Sequence, residues 1–132
     1  MESLELTALT PEIEKAVQSY TKDVELAIVK RLDYTADQIL EYIKENAPRS
    51  PYSKEHLGDS FIKESYGDGV NKTIVIYSKT KGYLVHLVEL GFKHRSGKLV
   101  SARPFLRPAY DEFTPKMIED IKKIIEGGGG NA

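Results

Sequence analysis

The chain has 132 residues, with 19 Lys and Arg against 20 Asp and Glu, for a formal net charge of -1. That length suits one domain, and 40% hydrophobic content supplies a single core without disulfides. The lack of cysteine excludes disulfides, thiol nucleophiles, iron–sulfur clusters and thiolate zinc sites, and near-neutrality argues against a simple nucleic-acid binder, which is usually basic.

The start, Met1-Glu2-Ser3-Leu4-Glu5, carries no basic leader, and no apolar run approaches the ~20 residues of a membrane span, so neither secretion nor insertion is expected. Residues 1–47 hold five basic and ten acidic residues and read as one long helix. Thr10 fits an N-cap, Pro11 the first helical position, and Glu12 and Glu14 lie where the helix dipole favours acids. Apolar residues recur at Ile13, Val17, Tyr20, Val24, Ala27, Ile28, Leu32, Ala36, Ile39, Leu40 and Ile43, and Leu26, Val29 and Tyr34 widen that stripe. Pro48 and Pro51 stop it. A helix from Pro11 to Asn46 would run roughly 50 Å, longer than a small domain needs. Either part of the stripe packs on another subunit, or the helix breaks near Asp33-Tyr34-Thr35.

Residues 48–109 hold eleven basic and five acidic residues, and here the period changes. Ser60 to Tyr66 reads as a strand ending in the turn Gly67-Asp68-Gly69, and Val70 to Ser78 as its partner. The run Ile74-Val75-Ile76-Tyr77 suggests a strand covered on both faces, by core on one side and a neighbour on the other. Tyr83 to Leu90 fits a short helix, with Gly91 as its stop. Phe92-Lys93-His94 and Lys98 to Ala102 flank Arg95-Ser96-Gly97, a basic hairpin tip.

Residues 110–132 hold three basic and five acidic residues. Leu106, Ala109, Phe113, Met117, Ile121, Ile124 and Ile125 form the stripe of a last helix, and Pro115 should kink it or restart it with Thr114 as the new cap. The expected fold is α+β. A long N-terminal helix precedes a small antiparallel sheet of three to four strands, with a short inserted helix and a basic hairpin arm, and a C-terminal helix closes it. One domain spans residues 1–127, and the Gly-rich residues 128–132 form a flexible tail.

The catalytic inventory is thin: no Gly-rich phosphate loop, no nucleophile elbow and no two-histidine helical metal motif. His86, Glu89 and His94 are chemically competent zinc ligands, but no ligand-spacing motif supports them. The cluster Lys93, His94, Arg95, Lys98, Arg103 and Arg107 could meet a phosphate backbone. Phe92 is the one aromatic beside the loop 93–98, so the aromatic platform of a single-strand binder is missing, and a solvated loop or protein contact is the preferred reading.

The most specific local sequence is His86-Leu87-Val88-Glu89-Leu90-Gly91, followed by Ala102-Arg103-Pro104-Phe105-Leu106-Arg107-Pro108-Ala109. Upstream, Ala47-Pro48 precedes Leu57-Gly58-Asp59-Ser60-Phe61, a Leu-x-x-Ser strand start. Together these resemble the tail-component family of long-tailed bacteriophages, typified by gene product ten of a lambdoid coliphage and akin to the lambda tail completion protein Z. The resemblance covers about residues 33 to 126. It departs at Tyr52-Ser53-Lys54-Glu55-His56, where a Thr-Gly step is usual, and at Pro115.

What the resemblance implies is a structural virion protein of the phage neck or tail top, without cofactor or reaction. It would help complete the tail and join it to the DNA-filled head as part of a ring, six-fold favoured. Its partners would be copies of itself and neighbouring head-completion, tail-terminator or tail-tube proteins, with non-specific contact with passing DNA and no membrane. Assembly in the cytoplasm of a bacterial host suits the missing cysteines. The alternative is a small prophage DNA-binding module using the basic loop 93–107.

Two physical expectations accompany that reading. Glu89 could form a bidentate pair with Arg103 or Arg107, pinning Phe92 to Ala102 as an arm while Phe105 and Leu106 anchor it in the core. In a head-to-tail ring, the middle segment, net +6, could face the first segment, net -5, of the next subunit.

Overall fold

Thr73–Ser78 forms the central strand of the sheet, and its alternation sets the two faces of the molecule. The computed structural model describes residues 3–8, 22–49 and 56–127. In chain order these are β1 (Ser3–Thr7), α1 (Lys22–Asn46), a 3-10 turn (Leu57–Ser60), β2 (Phe61–Tyr66), a second 3-10 turn (Gly69–Asn71), β3 (Thr73–Ser78), α2 (Gly82–Leu90), β4 (Phe92–Lys93), β5 (Leu99–Val100) and α3 (Leu106–Glu126). The expected α+β architecture is present. The cap and first turns anticipated at Thr10 to Tyr20, the departure at Tyr52 to Glu55, and the tail 128–132 lie outside the described residues.

The sheet has three strands in the order β1-β3-β2, antiparallel throughout. β1 follows from a short alternation: Leu4 and Leu6 lie opposite Ile76 and Ile74 and are buried, while Glu5 points the other way. Ile74 and Ile76 are fully buried against the helices, whereas Val75 and Tyr77 are half-buried on the outer face. Among the described residues, the dense β-branched run therefore has core on one side only.

α1 and α3 pack together on the inner face of the sheet. The buried stripe of α1 is Val24, Ile28, Leu32, Thr35, Ala36, Ile39 and Ile43, at the spacing of one helix face. Buried side chains of this size each contribute roughly 1.5–3 kcal/mol. The helix does not break at Asp33-Tyr34-Thr35. The Thr35 hydroxyl donates to the Arg31 carbonyl at 3.1 Å and accepts from the Arg31 guanidinium at 2.6 Å, which satisfies it inside the stripe. Asp33 is held by Lys72 at 3.2 Å, so neither polar residue disturbs the helix. Arg31 also reaches Asp120 of α3 at 3.0 Å, tying the two helices together at the edge of the core.

α3 runs unbroken from Leu106 to Glu126, with Pro115 inside it. The expected restart is not seen: Thr114 is a buried residue of the helix interior rather than a cap. Pro115 lacks only one N–H and lies on the exposed side, where the packed stripe Leu106, Ala109, Met117, Ile121 and Ile124 holds the helix through it.

The turn that follows α1 is built on a close approach. A Cβ at Gly58 would lie 2.8 Å from the Ile43 carbonyl oxygen, so only glycine lets Leu57–Ser60 seat on the last turn of α1. The hydroxyls of Ser60 and Ser78 then meet at 2.6 Å inside the core and join the start of β2 to the end of β3.

Candidate assembly site

The basic arm is a separate two-stranded hairpin, β4 and β5, outside the three-stranded sheet. Phe92 pairs with Val100 and Lys93 with Leu99, and the tip lies at Arg95-Ser96-Gly97 as the sequence indicated. The His94 N–H donates to the Lys98 carbonyl and the Gly97 N–H to the His94 carbonyl, each at 2.8 Å. The His94 ring accepts the Ser96 N–H through Nδ1 at 3.2 Å, so this histidine orders the tip.

Three interactions fix the root of the arm. Gly91 ends α2 with φ +77°, and a Cβ there would sit 2.8 Å from both the Ala102 nitrogen and the Val100 oxygen. The Arg103 N–H donates to the Val88 carbonyl at 2.8 Å. Glu89, only 6% exposed, accepts the Phe105 and Leu106 N–H groups on one oxygen, Oε1, at 2.5 and 2.8 Å.

This last arrangement replaces the expected Glu89–Arg pair. The first turn of α3 contains no acid, and Phe105 at its N-cap supplies no side-chain acceptor. Its orphan N–H groups are therefore met by a carboxylate from α2, which also favours the positive end of the helix dipole. The Arg103 side chain stays exposed, and Arg107 pairs along the helix with Asp111 at 3.3 Å. Leaving both guanidinium groups in water avoids the cost of burying a charge pair. Phe105 and Leu106 are anchored in the core as expected, Phe105 edge-on to Phe61 with ring centroids 5.7 Å apart. His86, Glu89 and His94 are not brought together, and no group of three potential metal ligands occurs among the described residues.

Every residue from Lys93 to Pro104 is exposed, Leu99 at 77%. Lys93, Arg95, Lys98 and Arg103 have no acidic partner among the described residues, so the arm presents four uncompensated cations around an exposed leucine.

Sequence reasoning passed over a second surface, the outer face of the sheet. Register places Glu5, Val75 and Glu64 in one row across β1, β3 and β2, with Ser3, Tyr77 and Ile62 in the next. Glu64 accepts hydroxyl hydrogen bonds from Tyr66 and Tyr77, both at 2.6 Å. The bond from Tyr66, then that from Tyr77, holds its carboxyl below the usual value, and both phenols are pushed up in return. The alternation of Glu64 and Tyr66 in β2 with Val75 and Tyr77 in β3 was a readable signal for this face.

The profile of the family described as Bacteriophage HK97-gp10, putative tail-component, matches residues 12–91. The matched span includes α1, the Leu57–Ser60 turn, β2, β3 and α2 and ends at the glycine that founds the arm; the Ala102 to Ala109 string lies beyond it. Comparison with curated proteins and with solved structures returned no match. With well over half of its residues inside the matched span, the chain belongs to the HK97 gp10-like family of bacteriophage tail components.

Proposed function

We propose that this protein is a structural component of the virion, sited at the phage neck or tail top. There it helps complete the tail and join it to the filled head as one subunit of a ring. The observation that carries the reading, beside family membership, is the isolated hairpin arm. A two-stranded hairpin alone is marginal in water, yet this one holds its tip and root in defined hydrogen bonds and exposes Leu99 among four cations. Such an arm suits a part that gains its remaining contacts on assembly. The work of the protein is contact rather than reaction.

An amber mutant of the gene, grown in a non-suppressing host and viewed by electron microscopy, tests this. Filled heads beside unjoined or abnormal tails are expected, with both restored in a suppressing host. Normal virions would overturn the assignment. A DNA-binding role for the arm would instead show as a mobility shift of duplex DNA with a steep salt slope, and normal particles.

A further inference from the structure

We propose that the hairpin arm of one subunit docks on the outer face of the β1-β3-β2 sheet of a second copy of this chain, with Leu99 over Val75 and the arm's cations against Glu5 and Glu64. This rests on the ring reading above and names the surfaces that would build the ring.

Complementarity of charge supports it. In the hairpin, directly paired residues share a face, so Lys93 and Leu99 point together to one side and Phe92 and Val100 to the other. Phe92 is half-buried, so its side turns toward the body, while Leu99 is the most exposed large apolar residue described. The outward side is thus a leucine beside a lysine, with Arg95 at the tip next to them, while Lys98 alternates with Leu99 and points with Val100. The sheet offers the reverse: Val75 lies between two carboxylates, and adjacent strands are about 4.8 Å apart, which puts Glu5 and Glu64 roughly 10 Å from one another. The nine outward positions, Ser3, Glu5, Thr7, Ile62, Glu64, Tyr66, Thr73, Val75 and Tyr77, include two acids and no base, and the nearest cation, Lys79, lies just past the end of β3 and acts on Glu64 from that edge. Glu64 is fixed by two phenols, with Tyr66 and Tyr77 beside it as partners for an arginine face.

The described part of α1 is a poorer acceptor. Of its acids, Asp33 and Asp37 are already paired with Lys72 and Lys63 and Glu25 lies by Lys22, while the exposed Asp23, Glu41 and Glu45 are split between its two ends, with Lys30 and Lys44 among them. Because the arm and the sheet face are different surfaces of one chain, the contact is heterologous and repeats from subunit to subunit until it closes. An arm of about eleven residues is smaller than a standard interface side of ~20–30, so each contact is weak and closure supplies the strength.

The cysteine-free chain makes the test direct. A V75C/L99C chain, mildly oxidised, should give a non-reducing ladder at multiples of 14.9 kDa, and mixed V75C and L99C chains a single dimer band. Either single substitution alone should give little cross-link. Adding K93E/R95E or E5K/E64K to the double-cysteine chain should remove the ladder, and adding all four should restore it, which also controls for misfolding. A ladder no stronger than in the single-cysteine controls, or one unaffected by the charge reversals, overturns the proposal. Sedimentation of the unmodified chain separates the two levels. A multimer without the cross-link refutes this contact and leaves the ring; a monomer at every concentration without the cross-link refutes both.

Discussion

Glu89, near the end of one helix, receives the backbone N–H of Phe105, the residue sixteen positions on that opens the next helix. One carboxylate oxygen thereby caps α3, closes the base of the arm, and fixes the aromatic ring that packs on Phe61. Glu89→Ala should cost about 2–3 kcal/mol, because two buried N–H groups lose a charged acceptor. Glu89→Gln, which keeps one oxygen, should cost about 1 kcal/mol. Arg103→Ala and Arg107→Ala should stay within about 0.5 kcal/mol, since both side chains are exposed. Urea unfolding checks all four, and arginine variants as damaging as the glutamate ones would refute the cap.

Gly91→Ala tests the other side of the root. A backbone at φ +77° and ψ 170° is essentially reserved for glycine and costs another residue roughly 1–3 kcal/mol, and here the added methyl would also meet two backbone atoms of the returning strand at 2.8 Å. The expected loss is at least about 2 kcal/mol. Amide exchange in residues 92–102 should accelerate more than in α1 or α3, because the arm opens before the core does.

Ser60 and Ser78 form a buried relay that explains the serine of the Leu-x-x-Ser strand start. The Lys81 N–H donates to the Ser78 hydroxyl at 2.9 Å, and the two hydroxyls meet at 2.6 Å. Ser60 in turn donates to the Leu57 carbonyl at 2.6 Å, so Ser78 is the donor between them. Ser60→Ala or Ser78→Ala should each cost about 1–3 kcal/mol by leaving a buried partner unmet. The double variant should lose less than the sum, and a double-mutant cycle showing strict additivity would contradict the relay.

On the outer sheet face, Tyr66→Phe and Tyr77→Phe should each raise the Glu64 carboxyl back toward its ordinary value of 4.5, Tyr66→Phe the more. The sign of the linkage follows. Glu64 titrates lower in the folded chain, so its contribution is present above the unfolded value and is lost as pH falls through the folded one. The two phenols titrate higher when folded, so theirs is present below about 10 and lost as pH rises through the folded values. Carbon-detected NMR titration of Glu64 in the wild type and both variants reads the shift directly. An unchanged carboxyl titration in Tyr66→Phe would show that the hydrogen bond does not hold in solution.

Elements with a long internal period could be read before the structure: the stripe of α1, the β2–β3 pair, the Gly91 stop and the Arg95-Ser96-Gly97 tip. What escaped depends on distant parts of the chain. The alternation Leu4-Glu5-Leu6 is too short to stand as a strand until Ile74 and Ile76 are placed opposite it. Glu89 stands out in the sequence, but its partners are backbone N–H groups, which composition does not display, whereas the nearby guanidinium groups are visible in it. The break near Asp33-Tyr34-Thr35 is an answer to helix length alone; α1 runs through that point, with Asp33 held by Lys72 and Thr35 by Arg31. The acidic row on the sheet exists only through strand register, which joins Glu5 to Glu64 by way of Val75.

Thr114 is the buried polar residue of α3, set in a stripe that is otherwise apolar. The residue is 4% exposed, and its Oγ1 meets no hydrogen-bond partner among the described residues. Tyr110, Pro115 and Ile118 line the shallow groove beside it together with Asp111 and Lys122. A buried hydroxyl without a partner carries a desolvation cost of about 1–3 kcal/mol, which an isosteric methyl removes. Thr114→Val should therefore leave the stability unchanged or raise it by up to about 2 kcal/mol, while Thr114→Ser, which keeps the hydroxyl and loses packing, should lower it by about 1 kcal/mol. Urea midpoints with a constant slope decide the sign. A clear loss in Thr114→Val would mean that the hydroxyl is satisfied by solvent in the groove, and would make that groove a wet site rather than a dry one.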